Sequence, residues 1–103
     1  MKLLTEELRQ KLPALAAQDG NPNPRVYLKL FTPESNWTWY ATEGEPEGED
    51  FRFFGYVCGF ENEWGYFMLS ELESALGPLG LRIERDINFK EGPFNETVLL
   101  LGQ

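Results

Sequence analysis

Between Ser35 and Glu43 the chain reads Ser-Asn-Trp-Thr-Trp-Tyr-Ala-Thr-Glu, and that pattern fits one backbone geometry. Trp37, Trp39 and Ala41 fall on one side of an extended strand; Thr38, Tyr40 and Thr42 fall on the other. Aromatic and β-branched residues fill it, as a pleated, half-buried surface favours. Such a strand is expected to pair with the segments just before and just after it.

The flanking segments carry the same signal. Arg25 to Phe31 alternates Val26, Leu28 and Leu30 with Tyr27, Lys29 and Phe31. Thr32-Pro33-Glu34-Ser35-Asn36 supplies a turn with proline at a favoured position, so the two strands form a hairpin. Gly44 to Asp50 reads as a polar loop. Phe51 to Phe60 is a third strand, apolar on both faces and therefore expected to be covered on both. Glu61 to Gly65 reads as the next turn and Tyr66 to Leu69 as a fourth strand. Leu81 to Phe89 reads as a fifth, with Leu81, Ile83, Ile87 and Phe89 on one face and a break near Asp86. Two helices are expected. The first follows Thr5, which caps it, with Leu4, Leu8 and Leu12 on one face. The second spans about 70–76, opens on a Ser70–Glu73 capping box, buries Leu72, Ala75 and Leu76, and closes at Gly77-Pro78.

Strands joined by short turns and grouped ahead of a helix predict an α+β fold. The expectation is one domain over 1–103: an antiparallel sheet of about five strands, an N-terminal helix and a short second helix. Residues 19–24, with two prolines, read as linker-like. In the tail, 91–103, Gly92-Pro93 breaks the chain, and Asn95 to Leu101 fits a short helix or a strand equally.

Composition removes several chemistries. There is no histidine and one cysteine, Cys58. Histidine-dependent nucleophilic catalysis and ordinary zinc sites are thereby excluded. Cys58, mid-strand between apolar residues, reads as an inert small core residue. No cofactor and no metal are expected, and on balance no enzymatic activity.

Lys and Arg number 9 against 17 Asp and Glu, a net charge of −8. That argues against direct nucleic-acid binding and against anionic membranes. The segment after Met1-Lys2-Leu3-Leu4 turns acidic at once, so no secretory leader is read, and the expected location is cytoplasmic. The charge is segregated. Residues 34–80 hold ten acids and one base, Arg52; the remainder holds seven acids and eight bases. A field of that kind steers a basic partner protein. A narrower version is mimicry of DNA charge.

Candidate interaction residues follow from this. Trp64 is expected at a turn tip between Glu61, Glu63 and Gly65. Glu45, Glu47, Glu49 and Asp50 belong to the acidic loop, which lacks the spacing of a calcium-binding loop and reads as solvated. The alternative is a ligand-binding or carboxylate-metal cleft built from Glu61, Glu63 and Arg85. Arg85 breaks the fifth strand's alternation and falls in line with Ile83 and Ile87. Nothing in the pattern speaks to oligomeric state.

Three stretches together resemble a known family. They are Phe31 to Glu43, then Phe53-Phe54-Gly55-Tyr56-Val57 running on through Gly65 to Glu73, then Gly77 to Asp86. They are similar to the bacterial domain of unknown function 2958, typical of plasmids, phages and other mobile elements. The likeness covers most of residues 1–90. It implies an accessory protein of a mobile element, and it brings no activity, cofactor or site residue with it.

Overall fold

The alternation at Trp37–Thr42 forms the strand it predicts, and that strand runs on further. A computed structural model describes residues 1–99 of the 103. Strand β3 (Thr38–Glu47) lies between β2 (Leu28–Phe31) and β4 (Asp50–Cys58), antiparallel to both. A helix, α1 (Glu6–Lys11), and a two-residue strand, β1 (Arg25–Val26), precede them. After them come β5 (Asn62–Met68), α2 (Leu69–Ser74), β6 (Glu84–Arg85), β7 (Gly92–Pro93) and a π-helix, Asn95–Leu99. The main sheet has five antiparallel strands in the order β5-β4-β3-β2-β6, and β1 pairs separately with β7. This is the expected α+β fold.

One face of the sheet carries the principal core. Leu28, Leu30, Ala41, Phe51, Phe53 and Phe67 project from it, all buried. Phe53 is fully buried, its ring 5.1 Å from Phe51 and 5.3 Å from Phe67. Leu3, Leu4 and Leu12 around α1, with Leu69 and Leu72 of α2, cover this face. Thr5 caps α1 as expected, its hydroxyl accepting the Leu8 amide at 3.2 Å. Trp39 packs against the same core but stays half-buried. The opposite face carries a smaller cluster, Val26, Tyr40 and Val98 with Tyr56, Cys58, Phe89 and Phe94. The C-terminal segment supplies its cover and is anchored by the Phe94 amide, which donates to the Pro24 carbonyl at 2.8 Å. Both faces of β4 are thus covered, though the second only in part.

A bulge redirects β3. Ala41 stands opposite Gly55, but Glu43 stands opposite Phe54, so Thr42 is the extra residue. Beyond it, Gly44 and Pro46 are opposite Phe53 and Phe51 on the core side, while Glu43 lies opposite Phe54 on the outer side. Gly44 is required there: a Cβ would sit 2.4 Å from the Phe51 ring. Its amide leaves the sheet to donate to the Pro13 carbonyl at 2.9 Å.

Several expectations are corrected. Gly44 to Asp50 is mostly strand, and only Gly48 and Glu49 turn. Gly48, at φ +61, holds the first turn position, as a two-residue II′ hairpin demands. The fifth strand shrinks to β6. The break near Asp86 is as expected, its carboxylate accepting the Asn88 amide at 2.9 Å, but residues 81–83 are not strand; Leu81 and Ile87 are exposed while Ile83 is buried. Leu76 is also exposed, because α2 ends at Ser74. Ser70 does not cap α2, which begins one residue before it. Gly77 is not left-handed; Gly80 is, at φ +83. Leu100 and Leu101, with the rest of the expected tail to Gln103, lie outside the described residues.

Candidate functional site

Half of the acidic residues of the 34–80 segment accept main-chain amides. The Glu43 carboxylate is buried, with 4% of its residue surface exposed. Its Oε1 accepts the Ala16 amide and its Oε2 the Gln18 amide, each at 2.7 Å. Ala16 adopts φ +72, a left-handed conformation rare outside glycine, so this tie holds an unusual backbone in place. Glu45 accepts the Leu15 amide at 2.9 Å. The Gln18 side chain adds a second tie, donating to the Thr42 carbonyl at 2.8 Å. Glu34 does the same for another loop, accepting the Leu79 and Leu81 amides at 3.0 and 3.2 Å.

Asp50 takes over the start of α2. It accepts the Ser70 hydroxyl, the Ser70 amide at 3.1 Å and the Phe51 amide at 2.7 Å. The Ser70 hydroxyl, then the Phe51 amide, hold its carboxyl below the usual range. Glu71 accepts the Met68 amide at 3.2 Å, and Glu47 pairs with Arg52. Of the ten acids in 34–80, Glu49, Glu61, Glu63 and Glu73 are the ones whose carboxylates carry no such tie among the described residues.

The outer face of β4 and β5 is lined with rings. Trp64 stands opposite Tyr56, and Tyr66 opposite Phe54. Trp64 stacks on Phe54 at 5.9 Å and meets Tyr56 at 5.1 Å and Phe94 at 4.9 Å. Tyr66 meets Phe54 edge-on at 5.0 Å, and the Arg52 guanidinium lies 5.5 Å from its ring centre. Trp64 is 41% exposed and Tyr66 62%. Trp64 is therefore not at a turn tip. It sits within β5, an edge strand, as part of a continuous aromatic strip. Glu63 is its neighbour in the strand and so faces the other side; Glu61 precedes the strand.

Beside the strip lies a cleft of about 390 Å³. Phe54, Trp64 and Tyr66 form one wall, and the loop through Ala16, Gln18 to Pro22 and Pro24 forms the other. Thr42 and Glu43, at the bulge, lie between them. Glu43 and Asp19 are its acidic lining residues, and no lysine or arginine lines it. The sequence did carry a signal for this. Glu43, Glu45 and Glu47 alternate with Gly44 and Pro46, a period of two that marks a strand with carboxylates on one side.

Arg85 stands apart from all of this. It belongs to β6, at the far edge from β5, four inter-strand spacings or about 19 Å from Glu61 and Glu63. Its Nε donates to the Lys2 carbonyl at 3.0 Å, and it lines a different hollow with Lys29, Trp37 and Asp86. The three residues are not brought together. Cys58 is half-buried, and burial pushes its thiol up. Burial, with Cys58 and Asp86 nearby, pushes the Tyr40 hydroxyl up to about 12. Among the described residues no three carboxylate or thiol groups converge as a metal would need. No helix among them is long and apolar enough to cross a membrane.

Neither a curated protein nor a solved structure matches the chain. A family model does match, over residues 3–95, and the chain belongs to that family, described as a protein of unknown function, DUF2958.

Proposed function

We propose that this is a non-enzymatic module that binds another protein, one with a basic surface, through the outer aromatic strip of β4 and β5. The observation that carries the reading is the exposure of Trp64 and Tyr66 side by side on an edge strand. Rings left in water in a contiguous row mark a contact surface. Trp and Tyr are also the residues on which interfaces most often anchor. The untied carboxylates of Glu61 and Glu49 lie outside the strip and would steer a basic partner without anchoring it.

The narrower reading, mimicry of DNA charge, is carried less far, because half of the acids in 34–80 are engaged with main-chain amides. The setting we propose is the one the resemblance implies: an accessory protein of a plasmid, phage or other mobile element, acting in the cytoplasm.

The test is capture from a host lysate at low and at high salt, with wild type and with Trp64→Ala and Tyr66→Ala variants run in parallel. The reading expects proteins held by wild type at both salts and lost by either variant. Glu61→Gln should retain them and bind more slowly at low salt. Identical capture by wild type and both ring variants would refute the strip as the docking surface.

A further inference from the structure

The cleft beside the strip has a chemistry of its own. We propose that it takes the guanidinium group of an arginine side chain presented by the partner protein; this rests on the protein-binding reading above.

Charge is the first reason. Two acidic residues, Glu43 and Asp19, line the cleft, and no basic residue does. An anion would meet uncompensated repulsion there. A neutral apolar group would leave the Glu43 charge without its remaining contacts. A metal ion would find too few ligands, since no cluster of three acidic or thiol groups forms among the described residues.

Geometry is the second. A carboxylate offers about four lone-pair positions. Glu43 spends one on each oxygen, toward Ala16 and Gln18, both at 2.7 Å. One position per oxygen is left, and each can accept one further N–H, of which a guanidinium carries five. The aromatic wall is the third reason. Phe54, Trp64 and Tyr66 line one side of the cleft. A flat, delocalised cation stacks on aromatic faces, where a compact ammonium ion gains less. Size agrees as well. At about 390 Å³ the cleft is at the small end of ligand sites, suited to one side chain. The strip runs into its wall through Trp64 and Tyr66, so a partner docked on the strip reaches it.

The experiment is an amide-shift titration of the protein with acetyl-arginine-amide. The neutral citrulline counterpart and free arginine are titrated alongside. Expected are saturable shifts at Ala16, Gln18 and the Trp64 indole. The citrulline compound should bind about tenfold more weakly, since it keeps the shape and loses the charge. Tyr66→Ala and Asp19→Asn, both at exposed positions, should each weaken binding several-fold while the remaining spectrum stays folded. Equal binding of the citrulline compound would overturn the inference, as would saturable shifts confined to another region. Tighter binding of free arginine than of the blocked form would overturn the protein-borne source. No saturable shift at concentrations on the order of tens of millimolar would also overturn it. If that last result came with lysate capture that still depends on Trp64, the cleft would fall and the strip would stand.

Discussion

Replacing Glu43 with glutamine tests whether a buried carboxylate holds the loop over the sheet. The side chain keeps its shape, but one oxygen becomes an amide nitrogen, a donor. Ala16 and Gln18 both present N–H groups at 2.7 Å, so one of them now faces a donor and its bond is lost. A hydrogen bond to a charged group contributes about 1.5–3 kcal/mol. The surviving bond becomes neutral and loses roughly half its strength, about 1 kcal/mol. Ala16 is exposed, and water replaces part of what its amide loses. The expected cost is therefore about 2–3 kcal/mol. With a urea slope of about 1–3 kcal/mol per molar, the midpoint should fall by roughly 0.7–3 M. Glu45→Gln is the control. It engages one amide, Leu15, at 2.9 Å from a half-exposed position, and glutamine keeps an oxygen for it. That variant should lose less than about 1 kcal/mol. Urea melts give both numbers, and amide exchange at Ala16 and Gln18 should speed up only in Glu43→Gln. Equal costs for the two variants, with exchange at Ala16 and Gln18 unchanged, would refute the clamp.

The other predictions concern the core and two titrating groups. Phe53→Ala, at a fully buried ring between Phe51 and Phe67, should cost about 3–5 kcal/mol by urea melt; a loss under about 1 kcal/mol would undo the β4 register. Asp50 has a native pKa below its ordinary 3.8, so its stabilisation is complete above that value and lost as pH falls through the native one. The wild-type advantage over Asp50→Asn should accordingly be smaller at about pH 3 than at about pH 6. Tyr40 is shifted the other way, from 10.0 up to about 12. Its stabilisation is complete below 10 and lost as pH rises toward 12, a loss that Tyr40→Phe should not show in melts across that window.

Some of this was legible in the residues and some was not, for physical reasons. Trp39 and Tyr40 sit on opposite faces as their alternation predicts, since a strand has a period of two whatever covers it. The β2–β3 hairpin and α1 are set by local turn and cap chemistry, which sequence records. Trp64 was misplaced because its strand carries rings at 64, 66 and 67, on both faces, and so shows no polar alternation. The acidic hairpin was misread because glycine and proline usually break strands. Here Gly44 makes room for the Phe51 ring, and Pro46 lies in the half of β3 that β2 does not pair. The bulge at Thr42 left no mark that a periodicity could register, yet it determines which way Glu43 points. The fifth strand does end at Asp86, near the break its pattern carried; what the pattern hid is that only Glu84 and Arg85 pair with β2.

The charge of the 34–80 segment reads differently once its partners are known. The loops at 14–22 and 77–81 contain no buried residue: Ala14, Ala16, Leu79 and Leu81 are exposed. Apolar burial cannot hold such loops, and their amides need acceptors. Carboxylates reaching from the sheet and its turns supply them: Glu43 and Glu45 to the first loop, Glu34 to the second. A charge satisfied by two amides is not a bare charge, so a cation approaching Glu43 meets a carboxylate whose desolvation has already been offset during folding. The same tie sets the distance between the loop and the rings of β5, hence the width of the cleft. Anything that binds the cleft only when the loop is folded against β3 must then raise the stability of the loop, by an amount that grows with its concentration over its Kd. Slower exchange at Ala16 and Gln18 in the presence of a bound cation is the direct expression of that coupling.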